Sequence, residues 1–450
     1  MIEKRWLKTQ ADAIRQADFI DPDLYRKYGV KRGLRNADGT GVLVGLTTIG
    51  NVHGYVMNEG EKQAIPGELF YRGINVKDIV QADKRERRFG YEETAYLLLF
   101  GSLPTMNELM DWKNLLGFYR KLSDGFKENA IMRNPSKDIM NAIARAILFA
   151  YAFDESGHPD DLSIEKCLSQ SIELIGAIPT IAAYAYQAKA HYHNGQSLLI
   201  RNPDPRKSTA ENFLSLIRED GKYTKLEAET LDLALILHAE HGGGNNSSFT
   251  THVVTSSFTD IYSSVAASIL SLKGSRHGGA NLRVMRQMEE ILESVRDWSN
   301  PKSLTAYLEK IADKRAGDRT GLIYGLGHAV YTISDPRAMM LREKAEKLAK
   351  EKGREEEMRL YEMIEELGPA IIKARHPRAE DVCANVDLYS GFVYDMLGIP
   401  KDLYTPLFAV ARCVSWCAHR MEELVNAGPI IRPAYKPIFR SRKYVPLMER

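Results

Sequence analysis

Features that mark several protein classes are scarce in this 450-residue sequence. It contains only four cysteines, too few to staple a chain of this length with disulfides. No run of about 18 uncharged apolar residues occurs, so no transmembrane helix is predicted. The 61 Lys and Arg side chains nearly cancel the 59 Asp and Glu, which gives no support to nucleic-acid binding.

The remaining composition is typical of a soluble globular protein, because 44% of the residues are apolar and the net charge is only +2. Residues 1–16 are charged and lack the apolar stretch of a secretory signal peptide. Together with the low cysteine content, this predicts a cytoplasmic protein. Cys413 and Cys417 are four residues apart, which favours two buried thiols on one helix face over a ligand pair.

Several cofactor and nucleophile motifs are also missing. The sequence has no G-x-x-x-x-G-K-[ST], H-E-x-x-H or G-x-S-x-G motif. The glycine-rich stretches 242–244 and 325–327 do not follow a predicted strand, as a dinucleotide-binding loop would require. Nucleotide hydrolysis and serine-hydrolase chemistry are therefore not favoured.

The apolar pattern predicts a mainly α protein with a small β-element near the N-terminus. Strand-like signals occur only early, at 41–49, 51–56 and 67–74. From Tyr91 onward the apolar residues recur at helical spacing. The predicted helices cover about 91–100, 106–123, 137–153, 164–192, 208–218, 226–241, 248–272, 281–298, 302–313, 337–352, 354–366, 388–397 and 405–426.

Three stretches have unusual composition. The most apolar one, 172–188, contains Gly176 and Pro179 and is predicted to be a core helix with a break. The stretch 248–272 is rich in small residues with Asp260 as its single acidic residue, which predicts one helix packed on most sides. The stretch from about 284 to 366 is rich in Lys and Glu, which favours a smaller, more solvated domain.

The first motif that can carry chemistry contains His238 and His241, followed by three glycines. A helix would place the two imidazoles about one turn apart on one face. Such a pair could bind a metal if a third ligand were present. The alternative is a helix C-terminus at which histidines are favoured by the macrodipole.

The second motif places His277 in a glycine-lined turn just before a helix predicted to start near 280–281. Glycine allows a ligand to approach the backbone closely. The positive end of the following helix disfavours an imidazolium, which predicts a neutral His277 able to donate one N–H. The alternative is a loop histidine without a function.

The third motif contains His328 after Gly-x-Gly, and Arg337 nine residues later. Asp335 and Pro336 are predicted as the N-cap and first residue of a helix, which puts Arg337 in its first turn. An arginine fork beside free backbone N–H groups suits a carboxylate or phosphate. The alternative is a capped helix with a surface arginine.

The fourth motif contains Asp387 just before a predicted helix. A helix cap is the commoner role for such a residue. A role as a base would require Asp387 to face the histidines across a cleft, which the sequence alone does not decide.

Together, in this order and spacing, the four motifs resemble those of citrate synthase. The similarity covers nearly the whole chain, from 67–74 and the helix at 91–105 to 430–433. It implies a two-domain helical fold, with 1–281 and 398–450 in a large domain and 282–397 in a small domain that closes over it. It also implies a homodimer.

The resemblance implies condensation of acetyl-CoA with oxaloacetate, a step of the tricarboxylic acid cycle, and a role for each site residue. His277 would stabilise the enol of the acetyl thioester, Asp387 would remove the methyl proton, and His328 would polarise the ketone of oxaloacetate. His241 would also contact this substrate. Its carboxylates would be held by three arginines, the last reaching across the dimer interface: Arg337, Arg412 and Arg432.

For the coenzyme A thioester, a co-substrate, the resemblance implies a site formed by the loop 323–327 and by Asn385. The loop consists of Ile323, Tyr324, Gly325, Leu326 and Gly327. No metal and no tightly bound cofactor are implied.

Three alternatives remain open at this stage. A 2-methylcitrate synthase would use propionyl-CoA, and one methylene in an apolar pocket is worth only ~1–3 kcal/mol of discrimination. A metal-dependent hydrolase could use His238, Glu240 and His241. A non-catalytic relative could retain the fold for binding alone.

Overall fold

Helices dominate the chain, as the apolar periodicity predicts. The structure is a computed structural model, and it describes residues 2–36, 39–58, 61–154, 157–376 and 381–450. Residues 1–46 form one compact unit and residues 47–450 form another. In chain order the helices are α1 Ile2–Ala17, α2 Pro22–Lys27, α3 Val76–Glu86, α4 Tyr91–Phe100, α5 Met106–Tyr119, α6 Asp124–Phe126, α7 Ile139–Ala150, α8 Ile164–Asn194, α9 Thr209–Ile217, α10 Lys225–His238, α11 Asn246–Thr255, α12 Ile261–Lys273, α13 Ala280–Ser294, α14 Pro301–Ala312, α15 Pro336–Lys352, α16 Glu355–Arg375, α17 Val386–Met396 and α18 Tyr404–Asn426.

A small antiparallel sheet lies near the N-terminus, as expected. Its strands, in the order β1-β2-β3, are β1 Gly50–Asn58, β2 Glu61–Tyr71 and β3 Ile74–Asn75. The strand signal at 41–49 is wrong, because the stretch forms only an isolated bridge from Gly41 to Arg35 and β1 begins at Gly50. Leu43 and Leu46 are 85% and 89% exposed, and only Ile49 at its end is buried in the core.

The stretch predicted as one helix over 248–272 forms two helices, α11 and α12. Phe258, between them, has a φ of 60°, which interrupts helical geometry. Asp260 caps α12 by accepting a hydrogen bond from the Ser263 backbone N–H at 2.8 Å. The predicted packing is confirmed, since α11 and α12 pack on each other and on α18.

The break predicted at Pro179 is also absent, since α8 continues for 31 residues through that proline. Residues on both sides of Pro179 are buried against neighbouring helices, and such tertiary packing can hold a helix that has lost one hydrogen bond. Helix α3 was not predicted. It buries only Val76 and Ile79 among its apolar residues, too few for a clear period.

Helix α18 is the central element of the core. It packs against α4, α8, α10, α11 and α12, and every residue from Tyr404 to Arg420 is buried. Cys413 and Cys417 are buried and unpaired, as predicted. No helix in the described part of the chain has the length and apolar character needed to cross a bilayer.

Candidate functional site

Helix α10 ends at His238, so His241 lies beyond it in the loop that leads to α11. The prediction that both imidazoles share a helix face is wrong, because the chain turns after the helix and carries the buried Glu240 side chain onto α18. His238 stacks on Phe408 with ring centroids 3.7 Å apart. Burial, and secondarily Arg412, hold the pKa of His238 well below its usual range. The imidazole is therefore neutral at pH 7.

His241 and His328 are neighbours, with perpendicular rings whose centroids are 5.1 Å apart. The Nδ1 atom of His328 accepts hydrogen bonds from the backbone N–H groups of Val330 and Tyr331, both at 3.1 Å. A neutral His328 must then carry its proton on Nε2, which makes that atom a donor. Burial, followed by Arg337 and His328, holds the pKa of His241 well below its usual range.

The β-hairpin supports the loop that carries His328. The Gly67 backbone N–H donates to Ser334 Oγ at 3.2 Å, and Tyr331 Oη donates to the Glu68 carbonyl oxygen at 3.3 Å. A side-chain carbon at Gly67 would lie 2.1 Å from the Ser334 carbonyl oxygen, so only glycine allows this approach. The small sheet thus positions the loop 328–334.

His277 lies in the turn between α12 and α13, and the helix start predicted near 280–281 is confirmed. Its Nε2 atom accepts a hydrogen bond from the Ser247 backbone N–H at 3.3 Å, which leaves the proton of a neutral imidazole on Nδ1. A side-chain carbon at Gly278 would lie 2.4 Å from the Leu272 carbonyl oxygen, so the turn requires glycine there. Burial, assisted by Arg412, lowers the pKa of His277 to about 4. The neutral state is as predicted, but burial rather than the helix terminus is its main cause.

The two buried arginines of the site differ in their partners. Arg337 donates to both oxygens of Asp335, at 3.0 Å from Nε and 2.7 Å from Nη2. Asp335 also accepts from the Arg337 backbone N–H, which confirms it as the cap of α15. Arg412 faces no such carboxylate. Its Nε donates to the His238 carbonyl oxygen at 3.0 Å, and its buried Nη2 has no partner among the described residues.

Asp387 lies in the first turn of α17 and is half-buried. The cap of this helix is Asn385, whose side chain accepts from the Asp387 backbone N–H at 3.0 Å, so the capping alternative for Asp387 does not apply. Burial raises the pKa of the Asp387 carboxyl to about 6, although Arg337 and Arg412 act to lower it. Such a carboxylate is a stronger base than an exposed aspartate.

Two loops pair so that His328 and the start of α17 are held side by side. The Gly327 N–H donates to the Cys383 carbonyl oxygen at 2.8 Å, and the Asn385 N–H donates to the Gly325 carbonyl oxygen at 2.9 Å. The Asn385 side chain adds a third bond, from Nδ2 to the Gly327 carbonyl oxygen at 2.8 Å. This pairing fixes the loop that precedes His328 against the turn that carries the carboxylate.

Much of the predicted coenzyme A loop, 323–327, is buried. Ile323 is only 3% exposed and packs into the core, and Gly325 is also buried, whereas Tyr324 and Gly327 are half-buried. Tyr324 N–H donates to Gln287 Oε1 at 2.9 Å, and the Arg283 guanidinium lies 5.4 Å from the Tyr324 ring centroid. Leu326 is half-buried against the core.

The charge of Arg412 acts on several residues of the predicted site. Its charge influences the pKa values of His241, His277 and Asp387, which places all three within electrostatic range of one guanidinium. The structure thus brings together most of the predicted catalytic and substrate-binding side chains: His241, His277, His328, Arg337, Asp387 and Arg412.

Arg432 is not among them. It follows α18 in a C-terminal segment, 427–450, that is mostly exposed. This segment is attached through the Ile431 N–H, which donates to Ser256 Oγ at 3.1 Å. In the described part of this chain the Arg432 side chain has neither a hydrogen bond nor an ion pair.

Sequence reasoning missed the partner of Glu240. His419 Nε2 lies 3.2 Å from Glu240 Oε2, both side chains are fully buried, and Ser415 also donates to this carboxylate. Although burial disfavours both charges, the interaction lowers the pKa of Glu240 to about 2 and raises that of His419 to about 9. The two residues are 179 positions apart, so no local pattern could reveal the pair.

The metal-hydrolase alternative finds no support in this geometry. It needs ligand atoms of His238, Glu240 and His241 to converge. In the part of the chain that the structure describes, no group of three potential ligands includes any of these residues.

Comparisons with known proteins agree on one family. A family model described as "Citrate synthase, C-terminal domain" matches residues 36–434. The chain is 34% identical over 369 residues to a citrate synthase of Haloferax volcanii, covering 82% of this chain and 88% of that protein. It is 31% identical over 390 residues to 2-methylcitrate synthase 1 of Corynebacterium glutamicum, covering 85% and 92%. A solved ternary complex of the Thermoplasma acidophilum citrate synthase with carboxymethyl coenzyme A and oxaloacetate aligns with a TM-score of 0.76 at 28% identity, covering 94% of this chain and 99% of that one.

Proposed function

This chain belongs to the citrate synthase family, and from that premise we propose that it condenses acetyl-CoA with oxaloacetate and water to give citrate and free coenzyme A. The observation that carries the proposal is the arrangement around Arg412. A carboxylate with a raised pKa and neutral imidazoles of fixed tautomer surround a buried guanidinium that has an unused donor.

In this proposal the carboxylates of oxaloacetate bind to the buried arginines. A buried guanidinium is costly unless an anion meets it, and Nη2 of Arg412 has no partner within the described chain. A substrate carboxylate would supply that partner. Arg337, already paired with Asp335, would contribute positive potential, and Nε2 of His328 would donate to the ketone oxygen.

Enolisation of the thioester requires a base that takes the methyl proton and, at the same time, a hydrogen-bond donor to the thioester oxygen. The methyl group is a very weak carbon acid, so negative charge developing on the thioester oxygen must meet a preorganised N–H. In the proposal Asp387 takes the methyl proton while Nδ1–H of His277 binds the oxygen. One such donor is typically worth ~3–4 kcal/mol of transition-state stabilisation.

Carbon–carbon bond formation follows. The enolate carbon attacks the ketone carbon of oxaloacetate, and the ketone oxygen takes the Nε2 proton of His328, which the proton removed from the methyl group by Asp387 then replaces. The product of this step is citryl-CoA, whose thioester is then cleaved by water to release citrate and coenzyme A. Orienting both reactants in one pocket can supply roughly 7–11 kcal/mol of the barrier reduction.

Closure of the small domain, 282–397, would exclude water until citryl-CoA has formed. Polar contacts between α15 and the rest of the chain support a hinged interface. Lys344 pairs with Glu229 at 3.0 Å, and Lys352 pairs with Glu227 at 2.6 Å, both across to α10. Glu227 is buried and the other three side chains are partly exposed, and a partly exposed ion pair such as Lys344–Glu229 contributes little stability that movement would have to overcome.

The coenzyme A thioester would lie against 323–327 and Asn385, near the Arg283–Tyr324 pair. In this proposal the pantetheine chain reaches Asp387 along the paired loops, because Asn385 and Asp387 are two residues apart.

We also propose a homodimer in which the C-terminal segment 427–450 lies on the partner subunit. Large apolar side chains there are strongly exposed in the single chain, among them Tyr435 at 93% and Phe439 at 80%. Burying such groups favours association. Arg432 would then complete the oxaloacetate site of the partner. The four unpaired thiols are compatible with a reducing compartment such as the cytoplasm.

A 2-methylcitrate synthase activity is the second candidate, because relatives of that name match at 31% identity. The decisive experiment follows free coenzyme A with a thiol reagent. Purified protein is mixed with oxaloacetate and either acetyl-CoA or propionyl-CoA, and kcat/KM is compared. A higher value for acetyl-CoA supports the proposal, a higher value for propionyl-CoA supports the alternative, and no release with either overturns both.

A further inference from the structure

Two imidazoles and a carboxylate converge on one face of α18, outside the groups used in the proposed reaction. Nε2 of His252, from α11, lies 3.1 Å from Nδ1 of His419. An oxygen of Glu422, one turn further along α18, lies 3.8 Å from the same Nδ1. The three ligand atoms are all within 4.8 Å of one another. No other group of three or more His, Cys, Asp and Glu side chains does this in the described ranges.

Each imidazole is backed by a carboxylate on its other nitrogen. Nδ1 of His252 lies 2.8 Å from an oxygen of Glu423, and Nε2 of His419 lies 3.2 Å from an oxygen of Glu240. Metal-binding histidines almost always donate their second N–H to such an acceptor, which fixes the tautomer. The nitrogens left to bind a cation are then the two that face each other.

Glu422 supplies a second, independent observation. Its side chain is only 10% exposed. One oxygen accepts hydrogen bonds from the Thr48 N–H and hydroxyl at 2.6 and 2.9 Å. The other oxygen, which faces the imidazoles, has no hydrogen-bond partner among the described residues, and its recorded contact is the long one to Nδ1 of His419 at 3.8 Å. A buried carboxylate oxygen with no hydrogen bond is costly, and a cation bound between the three side chains would satisfy it.

We propose that His252, His419 and Glu422 bind a divalent transition-metal ion of the Zn²⁺ class, with water as the fourth ligand. Bonds of about 2.0–2.1 Å in a tetrahedral site place ligand atoms about 3.4 Å apart. The observed separations of 3.1 and 3.8 Å bracket that value. Two imidazoles and one carboxylate form a ligand set that zinc uses in proteins.

Metal binding displaces one proton, the one shared between the facing nitrogens of the two imidazoles. The protons on the outer nitrogens stay, held by Glu240 and Glu423. The ion would tie α11 to α18. The ion would also stiffen the loop at the edge of the oxaloacetate site, because its ligand His419 contacts Glu240, which immediately precedes His241. The half-buried Gly243 borders the cluster, since a side-chain carbon there would lie 3.5 Å from Cε1 of His419 and 3.8 Å from Nε2 of His252.

The site was not predicted from the sequence, whose metal-binding alternative involved His238, Glu240 and His241 instead. His252 and His419 are 167 positions apart, and only the packing of α11 on α18 brings them together. The inference does not depend on the proposed reaction, because its test measures metal binding and thermal stability.

The test uses the full chain after treatment with a chelator. Zn²⁺ is titrated in competition with a chromogenic chelator, and Co²⁺ is titrated while the visible absorption typical of tetrahedral cobalt is recorded. We expect one ion per chain, and a melting temperature that rises with Zn²⁺ concentration. His252→Gln and Glu422→Gln should each weaken binding by at least tenfold, and Glu423→Gln by roughly 10–100-fold through the orientation of His252.

His193→Gln is the matched control, because His193 is exposed near the end of α8 and distant in sequence from all three ligands. This variant should still bind one Zn²⁺ ion per chain, and its melting temperature should still rise with Zn²⁺ concentration. Circular dichroism without metal identifies a variant that fails to fold, and the conclusion then rests on the other ligand variant. Binding of less than one ion per chain at micromolar Zn²⁺ overturns the site, as does equal affinity in the wild type and the folded ligand variants.

Discussion

Nδ2 of Asn385 donates a hydrogen bond to the carbonyl oxygen of Gly327 at 2.8 Å, which ties the loop before His328 to the helix that carries Asp387. The Oδ1 atom of the same side chain caps that helix through the Asp387 N–H. One amide therefore fixes the proposed base relative to the proposed electrophile. In the proposed reaction Asn385 positions Asp387 relative to His328, in addition to contacting coenzyme A.

Substitution of Asn385 tests this positioning. Asn385→Asp keeps the cap but cannot donate to Gly327, whereas Asn385→Ala loses both bonds. We expect both variants to lower kcat by ~10-fold or more, since small misplacements of reacting groups are costly. Both variants lose the bond to Gly327, and Asn385→Ala should lose a further ~1 kcal/mol of unfolding free energy through the missing cap. Wild-type kcat in Asn385→Asp would show that the bond to Gly327 does not position the site.

Replacement of Asp387, the proposed base, should remove the chemical step and leave oxaloacetate binding intact. Asp387→Ala is expected to abolish condensation, because no other carboxylate is proposed to reach the thioester methyl group. Oxaloacetate affinity, measured by calorimetry, should remain within a few-fold of the wild type. Asp402→Asn, at a surface ion pair with Lys189, is the control and should keep full turnover. Unchanged turnover in Asp387→Ala would remove the proposed base.

The pKa of about 6 for Asp387 predicts the acid limb of the pH profile. The base must be ionised, so kcat/KM for acetyl-CoA should fall about tenfold per pH unit below that value. His277, with a pKa of about 4, stays neutral over this range and adds no second limb. A profile that stays flat down to pH 5 would contradict the assignment of Asp387.

Arg412 is predicted to serve binding more than folding. Arg412→Gln should weaken oxaloacetate binding by about 10–100-fold, the range for a lost charge-assisted hydrogen bond. Its effect on the melting temperature should be small, because removing a guanidinium with an unused buried donor also removes a desolvation cost. Arg420→Gln, which removes a buried guanidinium bonded to the Thr259 carbonyl oxygen outside the proposed site, is the control and should leave oxaloacetate affinity within a few-fold of the wild type.

Mixed dimers test whether Arg432 acts across the interface. Chains with Arg412→Gln and chains with Arg432→Ala are denatured together and refolded. If Arg432 serves the partner's site, each heterodimer has one intact site, and about a quarter of the wild-type sites reappear. If Arg432 acts within its own chain, no heterodimer has an intact site and activity stays at the level of the separate variants.

Stability should decline as the pH falls from about 6.5 to 4. The folded state holds His277 neutral, with a pKa of about 4, and His238 and His241 are also held well below their usual pKa. The unfolded chain takes up these protons from about pH 6.5 downward, so acid favours unfolding, by up to about 3 kcal/mol for His277 alone. His419, whose pKa is raised to about 9, adds its stabilisation between pH 9 and 6.5 and is constant below that range. Asp387, whose pKa is raised to about 6, acts in the opposite sense within the window and offsets part of the decline. Urea midpoints at pH 7, 6, 5 and 4 measure the decline, and His277→Gln should reduce it.

The elements that the sequence predicted well are those with a complete local signal. Asp335 and Pro336 announce the start of α15, and the structure confirms both the cap and the place of Arg337 in the first turn. Helix α4 spans 91–100 as predicted, since its apolar stripe ends at Gly101. Such features depend on neighbours within a few residues, which periodicity and capping rules describe.

The errors occurred where distant packing overrides a local signal. Pro179 does not break α8, because the helix is buried on several sides. The small-residue stretch 248–272 divides at Phe258, because its two halves pack against each other.

The sequence by itself determined which chemical groups are present: a predominantly α chain, imidazoles that can be neutral, one acid at the start of α17 and three arginines in a recognisable order. Only the tertiary structure decided their protonation states and which residues lie beside them. It placed Arg412 in the middle of the buried helix α18, raised the pKa of Asp387, selected the nitrogen that carries the proton on His277 and His328, and joined His252 to His419. Burial and hydrogen bonding depend on contacts between residues far apart in the chain, whereas helical periodicity depends on residues three and four apart.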